Sequence, residues 1–472
     1  MSQLIGKILE FADEHDMLPG GGVLLICVSG GADSMCLLEV MRHISYERDF
    51  GIAVAHFNHE LRGDESDRDE TFVMLICEQH GIPFYSGRGD VSTYAKKRGL
   101  STEEAARDMR YEFFFDTADK LGALKIATAH TINDNAETMI INLARGAGTN
   151  GMSGIPPVRN NVVRPLLRIT RHEVLSFIAE RDIPFVEDST NALEIHTRNK
   201  VRHRLIPLVE SINPRFCEAA STASQLFRAD EEFISDIAEL FIHDCCTGLT
   251  ANAADLAVLP FSVSSRVIRK LYVLGTQGEG IAAFPAESRR PNSLSFNHVL
   301  DVLALCSADN PSAGISLPGM TVHREYDRII FDAEQKPDDN EFAPIYPTIG
   351  NSSIILSLGL KITCKLVPFD DNISKSALNS NFASFLFKSL DICGKIAVRP
   401  RREGDSIRLG AGGRTKTLKK LFIEKKIPAR KRALVPVISD DEGVLAVFGL
   451  GMGDRAVPEP GDSVIQIDFE EI

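Results

Sequence analysis

Through the first half of the chain, short apolar runs alternate with stretches whose apolar positions recur at helical spacing. Val23–Val28 (VLLICV) is apolar without a break, as a strand buried on both faces requires. Met35–Ile44 then sets Leu37, Leu38, Met41 and Ile44 at helical intervals. Ile52–Phe57 reads as a second strand, Asp69–His80 as a helix and Pro83–Tyr85 as a short third strand. Ser101-Thr-Glu-Glu104 is a capping box opening a helix that runs to about Leu121, and Thr170-Arg-His-Glu173 is another. Leu124–Ala129 is a further strand, followed by a helix over Asn133–Arg145. This alternation predicts an α/β domain built on a parallel sheet.

The texture changes near Pro214. Arg215–Phe241, Phe261–Leu274 and Asn297–Leu305 carry helical patterns, with a Pro/Gly/Ser-rich exposed loop over Ala283–Ser295. Beyond Ala313 strand signals dominate, in Ile315–Glu325, Tyr326–Phe331, Ile354–Leu358 and Ile362–Val367. The expected organisation is three parts: a catalytic α/β domain over 1–214, a mainly helical middle domain over 215–335, and a small α+β domain over 345–472. A length of 472 residues suits that number. The turn-rich stretch Gly146–Pro157 falls inside the first domain and reads as a functional loop.

Composition adds little to this picture, whereas the distribution of charge adds much. The N-terminus is amphipathic and acidic, without a basic start or cleavable apolar run, and no run approaches a membrane span. The expected compartment is the cytoplasm, with no membrane partner. The nine cysteines are scattered and form no C-x-x-C pair, so neither a zinc ribbon nor an iron–sulfur frame is legible. Net charge is −13, yet between Lys395 and Arg432 fourteen Lys/Arg face three acids. A basic tract on an acidic chain points to a localised phosphate-binding surface, although many such tracts are only solvated faces.

The sharpest chemical signal is a strand, then Ser29-Gly30-Gly31-Ala32-Asp33-Ser34, then a helix expected near Met35. Adjacent glycines allow a tight turn close to an anion, and a helix start aims N–H groups at it. The lysine of a Walker A loop and the third glycine of a dinucleotide fingerprint are both missing. Asp33 would repel a phosphate unless a divalent cation lay between them, which a Mg²⁺–diphosphate role explains; the bland alternative is a glycine turn capped by Asp33. In the second constellation, Ala129–Thr138, Asp134 and Glu137 share a helix face beside His130. Acids in a first helical turn also stabilise a helix with no ligand present. Arg107 has Glu103 four residues before it and could be a surface pair, whereas Arg110 has no such partner. Arg198 and Arg202 share a face beside Asn199.

The glycine loop resembles that of the PP-loop ATP pyrophosphatases, or N-type family, which cleave ATP to AMP and diphosphate. His130-Thr-Ile-Asn-Asp-Asn-Ala-Glu-Thr138 is similar to the H-H-x-D-D-Q-x-E-T signature of tRNA(Ile)-lysidine synthases, departing at Thr131, Asn133 and Asn135. Further stretches resembling that family follow in order: Asn58-His-Glu-Leu-Arg62, with Glu60 where the family has Gly, and Glu103–Glu112. Arg145–Pro156, Arg164–Leu167, Glu187–Asn191 and Thr197–Arg202 continue the series, and Val398–Pro428 resembles the family's C-terminal domain.

The resemblance implies an adenine-nucleotide α-hydrolase-like first domain that binds ATP through Ser29, Gly30, Gly31, Ala32, Asp33 and Ser34, with Mg²⁺ on Asp33 and Asp134. It implies catalytic roles for Asp33, His130, Asp134, Glu137, Arg107 and Arg110. Contacts to substrate or tRNA would come from Asn58, His59, Arg198, Asn199 and Arg202, and from Arg399, Arg401, Arg402, Lys416, Lys419 and Lys420. The implied reaction adenylates the wobble cytidine of a CAU-anticodon tRNA-Ile and joins free L-lysine to it. A homodimer stays open. A tRNA thiolase of the same loop class would be expected to carry paired cysteines, and an amide-forming small-molecule synthetase would need an ammonia source.

Overall fold

The computed structural model describes residues 3–61, 63–187, 197–277, 294–308, 310, 312–333, 342–369, 383–409, 414–428 and 431–472. Arg62, most of Glu187–Asn191 and most of the Ala283–Ser295 stretch lie outside them. The chain separates into two compact units: Met1–Phe241 with Pro260–Val267 and Gln277–Ser293, and Ile242–Leu259 with Ile268–Thr276 and Leu294–Ile472. The helical stretch expected over 215–335 contributes to both.

The first unit runs α1 (Gln3–Glu14), β1 (Val23–Cys27), α2 (Ala32–Arg48), β2 (Gly51–Asn58), α3 (Asp64–His80), β3 (Phe84–Arg88), α4 (Val91–Arg98), α5 (Thr102–Leu121) and β4 (Lys125–Ala127). It continues through α6 (Ile132–Ala144), α7 (Thr149–Met152), β5 (Val158–Arg159), β6 (Val162–Val163), α8 (Arg171–Glu180), α9 (Thr197–Lys200), a π-helical turn (Val201–Leu205), α10 (Ile206–Glu210) and α11 (Phe216–Cys245). The sheet order is β3-β2-β1-β4-β6-β5, parallel except where β5 meets β6.

Alternation along β1 explains its unbroken apolar run. Leu24, Ile26 and Val28 enter the core beneath α1, α2 and α8, while Leu25 and Cys27 pack with Tyr111, Phe114 and Ala118 of α5. Both capping boxes form, at Ser101–Glu104 and Thr170–Glu173. α3 starts five residues before the apolar periodicity suggests, at Asp64. Its first turn carries Asp64, Glu65 and Asp67, which favour a helix start and show no apolar period.

The second unit adds a five-stranded sheet, β7-β8-β11-β10-β9, to the helices expected in the middle of the chain. Its strands are β7 (Cys246–Thr247), β8 (Thr250–Asn252), β9 (Gly314–Leu317), β10 (Met320–Glu325) and β11 (Arg328–Ala333), and its neighbours include α12 (Ala253–Val258), α13 (Phe261–Gln277) and α14 (Phe296–Cys306). Two antiparallel four-stranded sheets follow, one centred on Leu360–Pro368 and Ser463–Glu471, the other on Val437–Asp440 and Gly443–Val447. Among the described residues no helix is long and apolar enough to cross a membrane.

Candidate active site

β1 lies between β2 and β4, so the chain leaves its C-terminal end where the winding of the sheet reverses. Open parallel sheets bind ligands at that crevice. Ser29–Ser34 occupies it. Gly30 adopts φ +91°, a region that glycine enters freely, and the Val186 N–H donates to its carbonyl at 2.9 Å. Gly31 caps α2, so Ala32, Asp33 and Ser34 form the first helical turn rather than preceding it. Their N–H groups and the positive helix end face the loop. Ser34 Oγ donates to the Gly31 carbonyl at 2.9 Å, accepts from the Ser29 N–H at 3.2 Å and lies 3.3 Å from Ser29 Oγ.

Asp33 is the tense point of this loop. Its Oδ2 pairs with Arg171, while Oδ1 is buried and accepts no hydrogen bond among the described residues. Burial pushes its carboxyl above the usual range, and Arg171 opposes that push.

The neighbouring strand β4 delivers His130 and the cap of α6. Thr131 and Asp134 form a capping box, with Asp134 Oδ2 accepting from the Thr131 N–H at 2.8 Å and from its hydroxyl at 3.0 Å. Asp134 Oδ1 accepts from Nη2 of Arg198 and of Arg202, each at 3.2 Å. Glu137, one turn on and 1% exposed, accepts from Arg198 Nε at 2.7 Å and from Arg202 Nε at 2.6 Å. The i,i+3 spacing of the acids and the i,i+4 spacing of the arginines thus interlock two helices. Arg198 lies on α9 and Arg202 on the π-helical turn after it, with Asn199 half-buried beside them.

These charges settle one another. Burial tends to raise the Asp134 carboxyl, but Arg198, the Thr131 N–H and Arg202 outweigh it and hold the group below the usual range. Burial, with Arg164 next, pushes His130 well below the ordinary imidazole range, so the ring is neutral near pH 7. Its Nδ1 sits 3.0 Å from Thr128 Oγ1. Arg107 adds to the field on His130, and Arg107 and Arg110 lie over the Tyr111 ring at 5.0 and 5.8 Å. The altered positions have tasks of their own. Asn133 accepts from the Arg171 N–H at 2.9 Å and donates to Cys217 Sγ at 3.4 Å. Asn135 accepts from the Ile155 N–H at 2.7 Å, pinning the Gly146–Pro157 loop, and a Cβ on Gly154 would stand 2.1 Å from its Oδ1.

Asp134 has both oxygens engaged, and among the described residues no three of His, Cys, Asp and Glu converge on a metal position. Asn58 is 2% exposed and its amide is spent internally, on Asp67 at 3.0 Å, Glu70 at 2.9 Å and the Glu60 N–H at 2.9 Å. These bonds shape the Asn58–Leu61 loop. Glu60 holds φ +53°, the left-handed conformation that glycine takes without strain. His59 packs edge-on to Phe57 at 5.0 Å.

In the second unit, Arg399 is 6% exposed and binds Asp405 through two nitrogens at 2.8 and 3.0 Å. It therefore braces the fold and is not a surface contact. Arg401 is half-buried, while Arg402, Lys419 and Lys420 are exposed. Lys416 pairs with Glu424 at 2.5 Å beside a groove of about 450 Å³ floored by Ile407, Leu409 and Leu421 and edged by Arg414 and Lys425. Burial pushes the thiol of Cys36, on the helix after the loop, up to about 12, and that of Cys77 up to about 11, which keeps both protonated near neutral pH.

Comparison with known proteins agrees with this geometry. A model of the PP-loop domain matches residues 3–209, and one of the TilS substrate C-terminal domain matches residues 396–469. The tRNA(Ile)-lysidine synthase of Clostridioides difficile (strain 630) is 30% identical over 481 residues, covering 99% of this chain and 100% of the relative. The chain belongs to the tRNA(Ile)-lysidine synthase family. The synthase of Geobacillus kaustophilus (strain HTA426) is 31% identical over 459 residues, covering 95% of each chain. A solved TILS C-terminal domain is similar over 28% of this chain and 97% of its own length, at 24% identity and a TM-score of 0.24. Family membership brings ATP use and a tRNA substrate with it. Arg171, paired with Asp33, and Arg164, which bears on His130, carry no signal in the sequence that marks them as site residues. Arg171 figures there only inside a capping box, and nothing in its spacing points back to the loop.

Proposed function

We propose that this chain adenylates the C2 oxygen of the wobble cytidine in a CAU-anticodon tRNA-Ile and then joins free L-lysine at C2. The observation that carries the reading is the meeting of the Ser29–Ser34 loop with the Asp134/Glu137–Arg198/Arg202 cluster at the switch point of one parallel sheet. The loop N–H groups and the Ser29 and Ser34 hydroxyls hold the ATP phosphates. The C2 oxygen attacks the α-phosphorus and diphosphate leaves. The lysine amine then attacks C2, loses a proton, and AMP departs with the former C2 oxygen. Such displacements need positioning and charge neutralisation more than a protein nucleophile.

The donor set fits Mg²⁺: Asp33 Oδ1 is buried without a hydrogen-bond donor, and hard oxygen ligands suit that ion. Bound there, it would neutralise diphosphate charge. Arg198 and Arg202, held by buried carboxylates yet partly exposed, present fixed positive charge to the substrate. His130, kept neutral, adds no third positive charge beside Arg198 and Arg202. With Mg²⁺ supplied, AMP release from ATP is expected to require tRNA; release at full rate without it would point to a small-molecule substrate.

The exposed lysines of the second unit serve phosphate contacts. Lys419→Ala with Lys420→Ala should leave the thermal midpoint within error and weaken tRNA binding by about tenfold. The slope of log affinity against log salt should fall by about two. Filter binding across a salt series reads both.

A further inference from the structure

Arg171 opens α8, and three separate pieces of the first unit meet at it. Its guanidinium pairs with Asp33 of the phosphate loop. Its backbone N–H is held at 2.9 Å by Asn133 of the His130–Thr138 segment. The same Asn133 reaches Cys217 at 3.4 Å, so the anchor is itself tied to α11. The main chain of Arg171 is thus fixed while its side chain, 43% exposed, is not packed in.

We propose that Arg171 is a further phosphate-binding residue, pairing with Asp33 in the absence of nucleotide and turning its hydrogen bonds to the diphosphate end of ATP when a divalent cation takes the carboxylate. The inference rests on the ATP-binding reading of the loop. A carboxylate set in an anion cradle needs a positive partner in either state. Arginine supplies one, and its planar fork also fits two phosphate oxygens at once. Asp33 already turns one buried, unbonded oxygen inward, so the cation and Arg171 need not compete for the same atom at first contact. Arg202 lies near enough to bear on Asp33 as well, so the carboxylate is not abandoned when Arg171 turns away. A rotation of one half-exposed side chain suffices, with the backbone held by Asn133.

A residue that served only as counter-ion to Asp33 would behave in the opposite way. Its removal would leave Asp33 more attractive to the cation and would not weaken phosphate binding. Calorimetric titration of the full-length chain with magnesium diphosphate, and separately with AMP, distinguishes the two. Arg171→Ala is expected to weaken diphosphate binding by about 10- to 100-fold, the effect of losing a charge-assisted contact. AMP affinity should stay within about twofold, since AMP lacks the diphosphate. Arg171→Lys, which keeps the charge but not the fork, should fall between. Thermal unfolding shows whether each variant is folded, and Arg171→Lys supplies the comparison if Arg171→Ala is not. Unchanged or tighter diphosphate binding in the variants would overturn the inference and leave Arg171 a counter-ion. A wild-type chain that bound neither magnesium diphosphate nor magnesium ATP would overturn the loop assignment itself, and this inference with it.

Discussion

Asp33→Asn is expected to lower AMP release in the presence of tRNA and lysine by about three orders of magnitude, equivalent to about 4 kcal/mol of transition-state stabilisation. The fold should barely notice. Asp33 lies in the first turn of α2 with one oxygen buried and unbonded, and burial already disfavours its charge. Asparagine keeps the shape, removes that penalty, and releases Arg171 to solvent from a half-exposed position. Unfolding free energy should therefore change by no more than about 1 kcal/mol. A thermal melt beside the rate assay separates the effects. Equal loss of stability and activity would mean that Asp33 is a structural cap, and full activity would remove it from the chemistry.

The second large effect falls on stability. Glu137 is 1% exposed, and the structure pairs it with Arg198 and Arg202. Replacing both arginines by alanine leaves a buried carboxylate uncompensated, at a cost of about 3–5 kcal/mol. Glu137→Gln alone should cost less, because the arginines it frees are about one-third exposed and keep Asp134. Adding Glu137→Gln to the double arginine variant should then restore part of the lost stability, since the stranded charge is gone. Activity should stay lost, because the fixed positive charge is what the substrate needs. Denaturant titration of the three variants gives the comparison. A triple variant no more stable than the double one would show that the arginines stabilise by packing and not by charge.

Legibility differed by kind of residue. β1, the glycine turn and the capped starts of α5 and α8 were readable because local chemistry determines them: an unbroken apolar run, two glycines, paired cap residues. The pairing of Asp134 and Glu137 with Arg198 and Arg202 was half readable. Their spacings put each pair on one face, but nothing local says that the faces meet. Arg171 was not readable as a site residue, since Asp33 on α2 and Arg171 on α8 are far apart in the sequence and meet only because those two helices pack together. Arg399 misled for the opposite reason: among fourteen basic residues in its tract it looks like its neighbours, while a strand position turns it inward onto Asp405. The start of α3 was missed because acids at a helix N-terminus carry no apolar period.

The central claim is that the adenylated atom belongs to the wobble base of one tRNA and that lysine is what replaces it. Incubation of the full-length chain with ATP, Mg²⁺, labelled lysine and bulk tRNA, followed by separation of the tRNA species, tests that claim most directly. The account predicts label in tRNA-Ile with a CAU anticodon, dependent on ATP and absent from other tRNAs. Label spread equally over tRNAs lacking that anticodon, or no label in any tRNA while AMP is released, would contradict it.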